Sequence, residues 1–125
     1  MDKTYEIRNN YLFVKLTGPF DINRVKKNIY EFGKELHSNN LKKLFLDMTE
    51  VTGLEEKQNF ILESFDLYYF ISKSHPPGTM ISILGTQELI NKHIFFDNVM
   101  TNRGFPVKVT TEREEGLKWL LEDKS

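Results

Sequence analysis

The chain has 125 residues, of which 39% are hydrophobic, including ten Phe, five Tyr and one Trp, enough for one packed domain spanning residues 1–125. Seventeen basic residues face eighteen acidic ones, a net charge of −1, so no cationic excess is present to hold a nucleic-acid backbone or an anionic membrane. Cysteine is absent, which excludes disulfides, thiolate nucleophiles and Cys-ligated metals.

The opening "MDKTYEIRNN" lacks the apolar core of a secretory signal, and no run of about 18 apolar residues occurs. A soluble cytoplasmic protein without a membrane span is the expectation. Two β-like runs come first, around Thr4–Ile7 and Tyr11–Thr17. In the second, Leu12, Val14 and Leu16 alternate with their neighbours at the period of a strand. Asn9-Asn10 between them suits a tight turn, since Asn tolerates positive φ, so the two runs read as an antiparallel hairpin.

"TGPFD" breaks the second strand, and Asp21 is placed to cap a helix over Ile22–His37. Ile22, Val25, Ile29, Phe32 and Leu36 recur at helical spacing and form one apolar stripe. "LKKLFLDM" is the next strand, apolar through its centre as a strand covered on both faces should be. Thr52 and Glu55 have the spacing of a capping box and open a second helix, about Glu55–Lys73, that "SHPPGT" ends. "MISIL" is the following strand, and a helix from about Gln87 to Asn102 stops at Arg103-Gly104. "PVKVT" is the last strand, after which Thr111 and Glu114 form a second capping box for a closing helix. The order is ββαβαβαβα. The fold class is therefore α/β, with a mixed, mostly parallel sheet and an N-terminal antiparallel hairpin.

The two middle helices are apolar over more than one face. Ile61, Phe65 and Tyr68 share a line, flanked by Phe60, Leu67 and Ile71 on one side and by Leu62 and Tyr69 on the other, with Phe70 opposite. In the next helix Leu89, Phe96 and Met100 are flanked by Ile90, Ile94, Phe95 and Val99. Two helices lying side by side on a sheet would explain that breadth. The other explanation is an interface anchored by Tyr69, Phe70 or Phe95, most simply in a homodimer.

Signals of catalysis are sparse. His37, His75 and His93 lack metal-ligand spacing, and neither a nucleophile elbow nor a phosphate-binding glycine loop is present. The reading is of a non-enzymatic protein with no metal and no cofactor. The places left for a site are the carboxyl ends of the parallel strands, at Asp47-Met48-Thr49, Leu84-Gly85-Thr86 and Thr110-Thr111, where an anion or a partner's carboxylate could bind or where the hydroxyls simply cap helices.

The hairpin start, "LKKLFLDMTEVTG", and the ending "NRGFPVKVTTEREEGLKWLL" together resemble SpoIIAA-like proteins of the STAS superfamily, many of them uncharacterised bacterial proteins. The resemblance runs through nearly the whole chain in element order. It implies a regulatory module acting through protein contacts, because the family includes anti-sigma-factor antagonists that bind a kinase partner and are switched by phosphorylation. Their phosphoacceptor lies in an Asp-Ser-Ser-Gly segment at the start of the second helix. Aligned there, this chain has Glu55 at the Asp, Glu56 and Lys57 at the two serines and Gln58 at the glycine, so the usual acceptor serine is missing. The candidate partner- or ligand-binding residues are Asp47, Thr49, Thr52, Glu56, Lys57 and Thr86, for a protein partner still to be identified. The alternative is a small apolar-ligand protein of the related CRAL-TRIO type, with the Phe and Tyr residues lining a pocket.

Overall fold

The computed structural model describes residues 2–53, 68–88, 90 and 100–122. The two expected N-terminal strands are β1 (Asp2–Arg8) and β2 (Tyr11–Pro19), paired antiparallel with Arg8 opposite Tyr11 across the two-residue turn. Asn9 takes the positive φ that this turn demands, at 47°. Helix α1 (Ile22–Ser38) follows, and Asp21 caps it by accepting from the backbone N–H groups of Asn23 and Arg24. Strands β3 (Lys43–Thr52), β4 (Met80–Leu84) and β5 (Val107–Thr110) then run parallel to β2, giving a five-stranded sheet in the order β1-β2-β3-β4-β5. Helical residues occur between β3 and β4 at 68–74 and between β4 and β5 at 87, 88, 90 and 100–102. The C-terminal helix covers Arg113–Leu121. The expected class and order are therefore those of the structure.

Alternation along the strands sends two sets of side chains to two faces. Leu12, Val14, Leu16, Leu44, Met48, Ile81, Ile83 and Val107 join Ile29, Phe32 and Leu36 of α1, with Ile71, Met100 and Phe105, in the larger core. Tyr11, Phe13, Phe45 and Leu84 point the other way and pack against Leu120, with Phe13 and Phe45 stacked at 5.8 Å between ring centres. The second core is smaller and edged by polar groups, because the short C-terminal helix covers only part of that face.

Two glycines set the distance between layers. A Cβ on Gly33 of α1 would lie 2.3 Å from the carbonyl oxygen of Ser74, so the backbones meet there. A Cβ on Gly116 would lie 2.8 Å from Oγ of Ser82, whose hydroxyl donates to the Gly116 carbonyl at 3.0 Å.

β3 runs on to Thr52, beyond the end that the sequence suggests. Lys15 pairs with Asp47 but Thr17 pairs with Glu50, so β3 carries one extra residue there, a bulge. Without it, strict alternation from Met48 would turn Glu50 and Thr52 inward. The extra residue rephases the strand and brings Val51 into the larger core instead.

The second expected capping box does not form. Glu112, not Thr111, is the N-cap, and it makes no side-chain cap bond. Thr110 serves the helix start instead, its Oγ1 accepting from the Glu112 N–H at 3.0 Å and donating to Glu115. As the last residue of β5, with its side chain on the face beneath the helix, Thr110 is already aimed at those groups. The first capping box, Thr52 with Glu55, and the helix residues Ile61 and Phe65 lie outside the described residues in whole or part.

Candidate functional site

Among the described residues Asp47 is the one buried carboxylate, only 1% exposed although it sits in mid-strand on the smaller-core face. Its Oδ1 accepts from the backbone N–H of Thr49 at 2.9 Å and from the Thr49 hydroxyl at 2.7 Å. A bulge leaves ladder groups unpaired, and the side chain two residues back supplies a partner for Thr49. Oδ2 accepts from Nη2 of Arg113, 3.0 Å away on the C-terminal helix. The Arg113 guanidinium also lies 5.8 Å from the Phe13 ring centre and 5.9 Å from that of Phe45, within the range of cation–π attraction.

Around this pair charges alternate. Lys15, beside Asp47 on β2, bonds Glu50 at 2.8 Å, and that bond raises its ammonium above the ordinary lysine range. Lys108 on β5 lies 3.6 Å from Glu115. The result is a part-buried strip of paired charges across the sheet, which ends on the exposed hydroxyls of Thr49 and Thr52. Such a strip can recognise a partner by charge and hydrogen bonding. No group in it is poised as a nucleophile. Among the described residues no three His, Asp or Glu side chains cluster as a metal site would require.

The other candidates are distributed as follows. Thr52 ends β3 and accepts the Phe20 N–H at its carbonyl, 2.8 Å, so it lies on the same sheet end as Asp47 and Thr49. Thr86 is exposed after β4 and accepts from the Ile90 N–H, a helix-start role. Glu56, Lys57 and Phe95 lie outside the described residues. Tyr69 is 55% exposed, while Phe70 is half-buried and meets Tyr30 of α1 edge-on at 5.3 Å. Tyr69 and Phe70 thus join Tyr30 in one aromatic patch, away from Asp47's face. Arg113 was beyond sequence reasoning, since its link to Asp47 spans 66 residues.

His75 was also not anticipated as a buried group, though the Pro-Pro turn after it marks a tight return of the chain. It is 4% exposed, and its Nε2 lies 3.1 Å from the Ile29 carbonyl, so Nε2 carries the proton and donates. Nδ1 has no partner among the described residues. Burial, partly opposed by the bond to Ile29, pushes the imidazole down to about 4. The ring borders a cavity of about 70 Å³ between α1 and the sheet, otherwise lined by apolar side chains such as Leu16, Phe32 and Ile83 and by Asn28. This is about half the roughly 150 Å³ that accommodates benzene in a protein core.

A sheet of this order, with a leading antiparallel strand and helices on both faces, gives an α/β domain with a SpoIIAA-like fold. Among solved structures, the chain is similar to an anti-sigma factor antagonist from Mycobacterium paratuberculosis, with a TM-score of 0.59 and 11% identity over 95% of this chain and 92% of that one. It also matches an uncharacterized protein of the DUF3478 family with a SpoIIAA-like fold from Shewanella loihica PV-4, at a TM-score of 0.49 and 16% identity over the same shares. No family model matches the chain, and no curated protein matches it significantly. No helix among the described residues is long and apolar enough to cross a membrane.

Proposed function

We propose that this protein is a cytoplasmic regulatory module that works by binding another protein rather than by catalysis, and that it also self-associates. The observation that carries the reading is the fold shared along 95% of the chain with an anti-sigma factor antagonist. The partner surface is the sheet end that carries Thr49 and Thr52, backed by the Asp47–Arg113 pair, with Glu56 and Lys57 added to it from the sequence alone. The aromatic patch of Tyr30, Tyr69 and Phe70 is the second contact, since exposed aromatic clusters favour protein interfaces. With Glu56 and Lys57 where the family has serines, binding here is constitutive with respect to serine phosphorylation. Glu56 carries a fixed single charge and mimics a dianionic phosphate poorly.

The test is site-specific photo-cross-linking from residue 52, with a probe at exposed Lys42, before β3 at the opposite end of the sheet, as the control. A partner trapped from position 52 and not from position 42, and lost on Thr49→Arg, supports the reading. Equal trapping from both positions removes it. The cavity beside His75 favours a second reading, binding of a small apolar molecule bearing one donor for Nδ1. Its size restricts that molecule to less than about the bulk of benzene. A native mass spectrum decides: extra mass on a monomer supports the ligand reading, a bare dimer the interaction reading.

A further inference from the structure

One edge of the sheet, β1, is a seven-residue strand whose sequence is complementary to itself. β1 reads Asp-Lys-Thr-Tyr-Glu-Ile-Arg, and apart from half-buried Lys3 every residue in it is exposed. Among the described residues no strand pairs with its outer side. Proline, glycine and bulges, the usual guards of an edge, are all missing from it. A lysine is also such a guard, but the Lys3 ammonium is drawn toward α1, where it bonds Asn28 and Glu31.

The hairpin register decides which backbone groups face outward. Arg8 and Tyr11 close a two-residue turn, so they exchange both hydrogen bonds, and bonding alternates from there. Asp2, Thr4, Glu6 and Arg8 therefore spend their N–H and C=O groups on β2. Lys3, Tyr5 and Ile7 turn theirs outward, and Tyr5 and Ile7 are also 45% and 46% exposed in their side chains.

We infer that β1 is a homodimerisation strand, pairing antiparallel with β1 of a second copy about a two-fold axis at Tyr5. This deepens the self-association part of the proposed function and rests on it. In that register Tyr5 faces Tyr5, Lys3 faces Ile7, Thr4 faces Glu6 and Asp2 faces Arg8. The outward groups of Lys3, Tyr5 and Ile7 are all paired. Asp2 and Arg8 project to the same face and form an ion pair twice, once at each end. Arg8 is already held on that face, its guanidinium 3.9 Å from the Phe13 ring centre and bonded to Glu6. The neighbouring registers that keep outward groups paired are unfavourable: one sets Asp2 against Glu6, the other sets Glu6 against its own copy, and like charges directly opposite destabilise a strand pair. The alignment at Tyr5 opposes no like charges.

The chain has no cysteine, so directed cross-linking has no background. Asp2→Cys and Arg8→Cys chains, one isotopically heavy, are mixed and oxidised. The inference expects a disulfide dimer of mixed mass and none from either variant alone, because like positions would lie roughly 20 Å apart along the strands. In parallel, Tyr5→Pro removes the central outward donor without touching a bond to β2, a position where an edge strand tolerates proline. Sedimentation velocity is expected to show the wild type dimerising with rising concentration and Tyr5→Pro remaining monomeric with an unchanged circular dichroism spectrum. A wild type monomeric at every concentration overturns the inference together with the self-association reading. A dimer that survives Tyr5→Pro, or that yields no mixed disulfide, overturns the strand inference alone; loss of that dimer on Tyr69→Asp would then return self-association to the aromatic patch. If Tyr5→Pro unfolds, the disulfide arm decides.

Discussion

Arg113, the first residue of the C-terminal helix, reaches the carboxylate of Asp47 in the middle of β3, with Nη2 3.0 Å from Oδ2. The arginine side chain is 47% exposed and the aspartate 2%, so the pair joins solvent to the core. Removing the exposed partner strands the buried one, whose remaining bonds among the described residues come from Thr49. Arg113→Ala is expected to destabilise the fold by about 1–3 kcal/mol, less than a fully buried pair because water reaches the site. A double-mutant cycle with Asp47→Asn, read by urea denaturation, should give a coupling near ~1 kcal/mol. Additive single substitutions would show that the contact contributes nothing.

Gly33→Ala sets helix propensity against packing. Alanine favours a helix interior by up to about 1 kcal/mol over glycine. Its Cβ would stand 2.3 Å from the oxygen and 2.8 Å from the carbonyl carbon of Ser74, and backbone cannot swing aside. The net expectation is a loss of at least ~2 kcal/mol, seen as a lower urea midpoint. A variant as stable as the wild type would mean that α1 and the helical residues 68–74 are not in contact there.

Gly116→Ala should be milder. Its nearest obstacle is the Ser82 hydroxyl at 2.8 Å, a side chain that can rotate, although the Thr110 methyl at 3.0 Å and the Phe45 ring at 3.3 Å limit the space. A cost of about 1–2 kcal/mol is expected, partly relieved when Ser82→Ala is added. If the second change deepens the loss by its full single-site effect, the obstruction lies elsewhere.

His75 gives the fold an acid sensitivity of definite sign. Its folded value is lowered to about 4 against 6.5 for the free side chain, so between these pH values the unfolded chain binds the extra proton. Stability from this group is complete above about pH 6.5 and falls as the pH drops toward 4, by up to ~3 kcal/mol in total at 1.36 kcal/mol per unit. The charge of exposed His37 adds to burial in opposing protonation of His75. Urea midpoints at pH 7.5 and 5 should therefore differ more in the wild type than in His75→Gln. Equal differences in both would locate the acid sensitivity in other groups.

Local pattern determined most of the architecture. The Leu12-Val14-Leu16 alternation, the Asn turn, the Asp21 cap and the apolar stripe of α1 each depend on residues within a few positions of one another, and each is found where that spacing puts it. That Asp47, Thr49 and Thr52 follow an apolar strand run was legible in the sequence. What they do there was not. The bulge that rephases β3 arises from its register against β2, and the bond from Arg113 crosses 66 residues. The Thr110 hydroxyl's taking over the helix-start bond expected of Thr111 and the burial of His75 against Ile29 likewise depend on which layers meet. Side chains close in sequence interact through the fixed repeat of helix or strand, so their pattern is written in the chain. Contacts between layers depend on how far apart the backbones settle, and at Gly33 and Gly116 only the packed tertiary structure decides that.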